Sequence, residues 1–277
     1  MPQTLVKVKQ ETEADQLKRA FVKVMLTVAK QIPQTPTKDL IASVALAIPH
    51  LELLSREMLD DIPNPNENFN LGWAFTGIAR FYQGQGRYTL AEEPLQRCLS
   101  SVQEVLGSDH SDTATSLNNL ALLYESMGRY TNAEPLYERS LHIYETQLGA
   151  DHPLTATSLN NLALLYQTRG RYSDAEPLRR RSLHIRETQL GADHPDTASS
   201  LNNLALLYYA IGRYSDAEPL YLRALEIWTK SLGENHPHTQ TAWGNFRHLL
   251  QQALASRRAD SLSSHPLTQQ LLQEMRE

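Results

Sequence analysis

The sequence predicts an all-α fold built from stacked antiparallel helical hairpins, and three observations support this prediction. The motif LNNLALLY begins at residues 117, 159 and 201, two equal steps of 42 residues, and a fixed period of this length is typical of an array of one supersecondary unit. Within the motif, apolar residues stand at i, i+3, i+4 and i+7, which places them on one face of an α-helix. Glycine and proline recur at matching places in every copy and divide each unit into two helices.

Each unit reads as a helix A, a short turn and a helix B. Helix A carries the motif and ends at Gly128, because glycine suits the left-handed residue that terminates a helix. Helix B follows in AEPLYERSLHIYETQLG and is closed by Gly149. Proline then stands at 153, 195 and 237, where its fixed φ and missing N–H are tolerated at the first position of the next helix A.

Weaker copies of the unit extend the array at both ends. Apolar residues around Phe75 to Tyr82 and around Trp243 to Leu250 match helix A. The sequence therefore predicts five repeats over residues 67–256.

The two flanks of the array are also predicted to be helical. Residues 1–36 form an N-terminal helical segment, residues 37–66 a degenerate helix pair, and residues 257–277 a C-terminal capping helix. The last of these would cover apolar surface at the end of the stack. The apolar face expected in the first segment consists of Leu17, Phe21, Val24 and Val28. The pair is expected to break at Pro49 and to end at the Pro63-Asn64-Pro65 stop signal, and a serine is expected to cap the last helix.

Composition and motifs argue against several classes of function. The net charge of −5 does not suit a nucleic-acid partner, and the single cysteine, Cys98, cannot form a disulfide within the chain or a cysteine metal cluster. No GxxxxGK[ST] loop or GxSxG elbow is present, so we expect no enzyme activity and no cofactor. The histidines of the recurring DHP sequence lie one period apart, in separate loops, which does not favour a metal site. No signal peptide or long apolar run is found, so we expect no membrane association and a cytoplasmic location.

The pattern Leu117-x-x-Leu120-Ala121-x-x-Tyr124, followed by Gly128, Tyr130 and Ala133-x-x-x-Tyr137, resembles the tetratricopeptide repeat. The 42-residue period, with LNNLALLY, GRY, AEPLY, RSLHI and LGADHP, is similar to the repeats of kinesin light chains and of related bacterial arrays. The resemblance covers residues 68–256 and implies a right-handed superhelix of antiparallel helix pairs.

Three features of this chain depart from the family pattern. Leu95 and Arg179 stand where an aromatic residue is expected on helix B, and the first copy shifts its proline to Pro94. Residues 1–66 show no sustained heptads, so a coiled coil that would join a kinesin heavy chain is not expected. We therefore do not infer kinesin binding and expect a bacterial relative.

The polar face of helix A carries the candidate binding residues. At 100° per residue, Asn118, Asn119 and Leu122 point away from helix B, as do the corresponding residues of the next two repeats. In tetratricopeptide arrays, which this chain resembles, that face lines a concave groove. An asparagine amide offers both a donor and an acceptor, so it could pair with the backbone of an extended peptide. The candidate groove residues are Asn118, Asn119, Leu122, Asn160, Asn161, Leu164, Asn202, Asn203 and Leu206.

A structural reading of the same residues stays open. One asparagine of each pair could bridge to the neighbouring repeat, and we favour this role for the second members, Asn119, Asn161 and Asn203. Recurring arginines and glutamates on helix B and in the turns, including Glu92 and Arg129, predict ion pairs within or between repeats.

The predicted function is a non-catalytic scaffold, monomeric or weakly homo-oligomeric, that binds a protein or peptide ligand in the groove. The alternative is a structural or regulatory module that self-associates or holds a neighbouring domain of a signalling protein. In that case we expect either stable oligomers or a groove filled by the N-terminal helix around Leu17 to Val28.

Overall fold

The computed structural model describes residues 13–62 and 70–276, in which every regular element is helical. The α-helices are α1 (Glu13–Gln31), α2 (Lys38–Val44), α3 (Ile48–Glu57), α4 (Asn70–Gly84), α5 (Tyr88–Leu106), α6 (Ser111–Ser126), α7 (Tyr130–Gln147), α8 (Pro153–Thr168), α9 (Tyr172–Leu190), α10 (Pro195–Ala210), α11 (Tyr214–Leu232), α12 (Pro237–Ala255) and α13 (Pro266–Glu274). The predicted all-α class is confirmed. The chain divides into two compact units, 1–140 and 141–277.

The helix boundaries follow the glycine and proline signals. Helices α8, α10 and α12 begin at their prolines, as predicted. The turn glycines adopt the left-handed backbone that a side chain disfavours, as at Gly128 with φ of 70°. Each A–B hairpin is therefore set by local chemistry before any packing is considered.

The histidines that recur before α6, α8, α10 and α12 cap these helices, and two of them, His152 and His194, stand in the DHP sequence. In each case the imidazole Nδ1 accepts a hydrogen bond from the backbone N–H two residues later, at the start of a helix A. The distances are 3.1 Å for His110, His152 and His194, and 3.2 Å for His236. These histidines recur because every unit needs the same helix start.

In the N-terminal unit, α1 packs against α3 and α4. The predicted apolar face of α1 is wrong at two of its four residues: Leu17 is 67% exposed and Val24 is 55% exposed, although Phe21 packs against the core. The residues that the structure buries are Val22, Leu26 and Ala29. Gly77 on α4 explains the choice, because a Cβ there would lie 2.9 Å from the Cβ of Ala29. The small-residue contact lets the two helices approach closely and fixes which face of α1 is inside.

Helix α3 occupies the place of a helix B that precedes the first repeat. Glu52 accepts a hydrogen bond from the Tyr82 hydroxyl at 3.1 Å, and the Ser55 carbonyl accepts one from Arg97 at 2.8 Å. Helix α3 begins at Ile48, with Pro49 in its first turn, where the break was expected. The predicted Pro63-Asn64-Pro65 stop signal lies outside the described residues.

Adjacent repeats are joined by a recurring cluster of tyrosine, glutamate and arginine. In the N-terminal unit, Glu92 accepts from the Tyr124 hydroxyl at 3.0 Å and pairs with Arg129 at 2.9 Å, and the guanidinium lies 4.3 Å from the tyrosine ring centroid. In the C-terminal unit the same cluster consists of Glu176, Tyr208 and Arg213, at 2.9, 3.1 and 4.3 Å. These contacts confirm the prediction of ion pairs between repeats.

The C-terminal segment caps the last repeat through the corresponding glutamate. Glu218 is 1% exposed, and Leu250 and Ala255 stand where the next tyrosine and arginine would be. Its carboxylate instead accepts from the Ser263 N–H at 2.7 Å, the Ser263 hydroxyl at 2.5 Å and the Thr268 hydroxyl at 2.7 Å. The predicted serine cap of α13 is wrong, because His265 holds the capping position without a side-chain bond. Ser263 faces Glu218 instead.

Candidate functional site

The paired asparagines bridge successive A helices in the C-terminal unit. The Asn203 amide donates to the Asn160 carbonyl oxygen at 3.1 Å, and Asn245 donates to Asn202 at the same distance. The second asparagine of one repeat thus meets the first asparagine of the repeat before it. This contact buries Asn202, which is 8% exposed, while Asn160 and Asn203 stay half-buried.

The remaining asparagines of the candidate set, Asn118, Asn119 and Asn161, are all half-buried on their A helices. Asn119 lines a cavity in the N-terminal unit. The asparagines thus keep part of their surface in contact with solvent, except for Asn202.

The candidate leucines are more accessible than the core leucines of the same helices. Leu164 is 40% exposed, whereas Leu162 and Leu165 on the same helix are 4% and 0% exposed. Leu122 and Leu206, one period away on either side, are half-buried. An apolar side chain that recurs outside the core is available for contact with a ligand.

A slot between helix A and helix B does not hold the same residue in every repeat: Leu95, Tyr137, Arg179 and Tyr221 stand at the corresponding positions. Tyr137 is fully buried there, and its hydroxyl donates to Glu125 at 2.7 Å. Burial raises the pKa of the Tyr137 hydroxyl, and the negative charge of Glu125 raises it further. One period later Arg179, 3% exposed, donates to Asn160 and reaches Gln167 at 3.5 Å. The departure noted at Arg179 is therefore accommodated by amide oxygens on the facing helix.

In the first repeat, where the slot holds Leu95, the N-terminal unit has a cavity of about 340 Å³. Its walls combine α4, α5, α6 and the segment between α1 and α2. The lining residues are Gln34, Thr35, Pro36, Thr76, Ala79, Arg80, Gln83, Gly84, Tyr88, Leu95, Asn119, Leu122 and Ser126. Two of the nine candidate groove residues, Asn119 and Leu122, belong to this lining.

Arg80 is the charged residue of this cavity wall. Its guanidinium donates to the Ile32 carbonyl at 2.8 Å and lies 5.1 Å from the ring centroid of Trp73. Burial lowers the pKa of Arg80, although an arginine remains protonated in practice. The cavity therefore has a fixed cation beside neutral hydroxyl and amide groups.

Sequence reasoning missed most of this cavity, including Gln83 and residues 34–36. The sequence feature that indicates the cavity is Leu95, which replaces the aromatic residue expected on helix B, because a smaller side chain at a repeated core position leaves space. The position of the α1–α2 segment could not be inferred, since it depends on Gly84, where a Cβ would lie 2.4 Å from Pro36.

The thiol of the buried Cys98 is not a candidate reactive group. Burial raises the pKa of the Cys98 thiol to about 12, which keeps the thiol protonated and unreactive. Over residues 13–62 and 70–276, no helix combines the length and apolar character needed to cross a bilayer. Within the same ranges, histidine, cysteine and carboxylate side chains do not gather in threes at a point where a metal could bind.

Several solved structures are similar to this chain. A kinesin light chain protein of Podospora anserina with nearly identical TPR-like repeats shares 27% identity, covering 72% of this chain and 90% of that one, with a TM-score of 0.58. BtubC (BKLC) from P. vanneervenii shares 22% identity over 85% of this chain and 91% of that one, with a TM-score of 0.65. A Rap protein in complex with competence and sporulation factor shares 13% identity over 89% and 74%, with a TM-score of 0.57. No curated protein sequence matches the chain.

The tetratricopeptide repeat family model matches residues 70–146, 112–188 and 169–230. Together these matches span residues 70–230, more than half of the 277 residues. They coincide with the hairpins from α4 to α11 and with the recurring contacts described above. The chain belongs to the tetratricopeptide repeat family.

Proposed function

We propose that this protein is a non-catalytic scaffold that binds an extended peptide or partner segment along the exposed faces of its A helices. The observation that carries the proposal is the recurring leucine outside the core. Leu164 is 40% exposed and has half-buried counterparts one period away, Leu122 and Leu206. In the C-terminal unit, Leu164 and Leu206 with the neighbouring amides suit a ligand whose side chains bind the leucines and whose backbone binds the amides.

The asparagine bridges refine the proposal. Asn160 and Asn202 each use a side-chain oxygen in contact with a neighbouring repeat, so an asparagine contributes to stacking whether or not a ligand is bound. Replacing these asparagines by alanine would weaken the array and binding together. The leucines are the better residues for a test of binding alone.

The test is selection of a random peptide library displayed on phage against the immobilised full-length protein, followed by fluorescence anisotropy on enriched peptides. Leu164→Glu should weaken binding by about tenfold or more, equivalent to about 1.4 kcal/mol, because a carboxylate would enter the apolar contact. Leu154→Glu is the matched control, since Leu154 lies on the same helix, is 41% exposed and belongs to no candidate surface.

Equal far-ultraviolet circular dichroism and equal melting of the two variants would show that the fold is unchanged. If no sequence is enriched, or if Leu164→Glu binds as tightly as Leu154→Glu does, the helix A leucines are not a peptide site.

One observation favours the alternative function, a module that self-associates. Helix α1 turns Leu17 and Val24 toward solvent on a single face. Sedimentation equilibrium of the wild type and of a Leu17→Lys, Val24→Lys variant tests this alternative. A dimer that dissociates in the variant supports self-association, and a monomer in both leaves the scaffold as the proposed function.

A further inference from the structure

The repeats offer an internal comparison at one position of helix B. Leu95 in the first repeat stands where Tyr137 and Tyr221 stand in two others. Tyr137 follows Leu95 by one 42-residue period, and Tyr221 follows Tyr137 by two periods. Both tyrosines are fully buried. In two of the four repeats, therefore, a phenol ring fills the slot between helix A and helix B.

The facing residue completes the comparison. The Tyr137 hydroxyl donates to Glu125 on helix A at 2.7 Å. The residue that corresponds to Glu125 in the first repeat is Gln83, one period earlier, and both Gln83 and Leu95 line the cavity of the N-terminal unit. A side-chain amide that can accept the hydroxyl of a phenol is thus present, while Leu95 supplies no ring opposite it and Tyr88 contributes to the cavity lining from the start of α5.

The space is sufficient for a ring. The cavity measures about 340 Å³, and an apolar cavity of about 150 Å³ in another protein suffices to bind benzene. Ala79, Leu95 and Leu122 supply apolar wall, and Gly84 lets Pro36, another lining residue, lie close against α4. The pocket is therefore bounded by helices and by a closely packed segment.

The charge on the wall also suits an aromatic group. Arg80 is held by its hydrogen bond to the Ile32 carbonyl and by its stacking near Trp73. A guanidinium fixed at a cavity wall is attracted to the face of a π system. No carboxylate occurs among the lining residues, so the wall does not oppose an electron-rich ring.

We propose that this cavity binds an aromatic side chain of the partner, with a phenol preferred, in the place that tyrosine occupies within other repeats. The source of that side chain rests on the proposed peptide-binding function, whereas the ring site itself does not. Gln83 would accept the phenol hydroxyl, and Leu95 would set the room for the ring.

The experiment uses p-cresol and toluene, the side-chain analogues of tyrosine and phenylalanine, with the full chain. Trp73 lies beside Arg80, so binding is followed by ¹⁹F NMR of protein labelled with 5-fluorotryptophan, with its resonance assigned by Trp73→Phe. The wild type should bind p-cresol several-fold more tightly than toluene. Gln83→Leu should remove that preference while retaining toluene.

Leu95→Tyr supplies the second test, because it restores the ring found in other repeats and should fill the cavity. We expect it to abolish p-cresol binding and to melt at or above the wild-type temperature. Val105→Tyr, on the same helix at a position that is 55% exposed, is the matched control and should bind as the wild type does.

Absence of p-cresol binding to the wild type, or unchanged binding in Leu95→Tyr, would overturn the proposal. The small-molecule result is independent of the peptide selection: peptides enriched without p-cresol binding would retain the scaffold function and reject the ring site. The reverse result would retain the ring site and reject the peptide groove.

Discussion

The contact between Thr268 and the buried Glu218 predicts an unusually costly threonine-to-valine substitution. Thr268 is fully buried and its hydroxyl donates to the Glu218 carboxylate at 2.7 Å. Valine preserves the shape but removes the donor, leaving a buried charge with one partner fewer. Hydrogen bonds to charged groups contribute about 1.5–3 kcal/mol, against about 0.5–1.5 kcal/mol for neutral pairs. We expect Thr268→Val to lower the free energy of unfolding by an amount in the range for charged groups.

The chain contains a matched control for this prediction. Thr239 is also fully buried, but its hydroxyl donates to the neutral Gly233 carbonyl at 2.9 Å. Thr239→Val should therefore cost an amount in the lower range. Urea unfolding gives the free energies, and hydrogen exchange of the α13 amides shows whether the cap opens locally.

A Glu218→Gln background separates charge from shape. With a neutral amide in place of the carboxylate, the cost of Thr268→Val should fall into the lower range, which a double-mutant cycle measures as a coupling energy. If Thr268→Val costs no more than Thr239→Val, or costs the same in both backgrounds, the carboxylate is not what holds the cap.

Three further outcomes follow from the structure. Desolvation acts to raise the pKa of Glu176, but the hydrogen bonds and charges of Tyr208 and two arginines hold that pKa below its ordinary value. The lowered pKa stabilises the folded state fully above the ordinary glutamate pKa, and this stabilisation is lost as the pH falls through the lower pKa of the folded state. Tyr208→Phe should raise the Glu176 pKa, which a ¹³C carboxylate titration measures. Cys98 should react with a thiol reagent only after unfolding in urea, and rapid labelling of native protein would contradict its burial. Gly128→Ala should destabilise by about 1–2 kcal/mol because φ is 70°, whereas Gly244→Ala, inside a helix with open space at its Cβ, should stabilise in the same urea assay.

The hairpins could be predicted because their signals are local. Helix A is visible from the spacing of its apolar residues, and its start and end are marked by proline and glycine. These choices depend on backbone conformation within a few residues. The bridging role favoured for Asn203 is also confirmed, because its amide donates to Asn160 and the same contact recurs between Asn245 and Asn202.

The parts that the sequence did not predict depend on contacts distant in the chain. Helix α1 carries two apolar faces, and Gly77, far along the chain, decides which of them is buried. The role of Ser263 depends on a carboxylate 45 residues earlier that has lost its usual partners. The cavity depends on Leu95 and Gln83 together with the path of residues 34–36. In each case the local sequence around the deciding residue does not indicate the contact that it makes.

The recurring cluster of tyrosine, glutamate and arginine has a consequence for how such a chain can change in evolution. Donor and acceptor keep the same offsets in Glu92 with Tyr124 and in Glu176 with Tyr208. Recombination between two near-identical copies would remove or add 42 residues and restore a matching junction. The terminal segment would still find Glu218 on the last hairpin. The gene can therefore lengthen or shorten its product in whole units, with no new junction to be optimised.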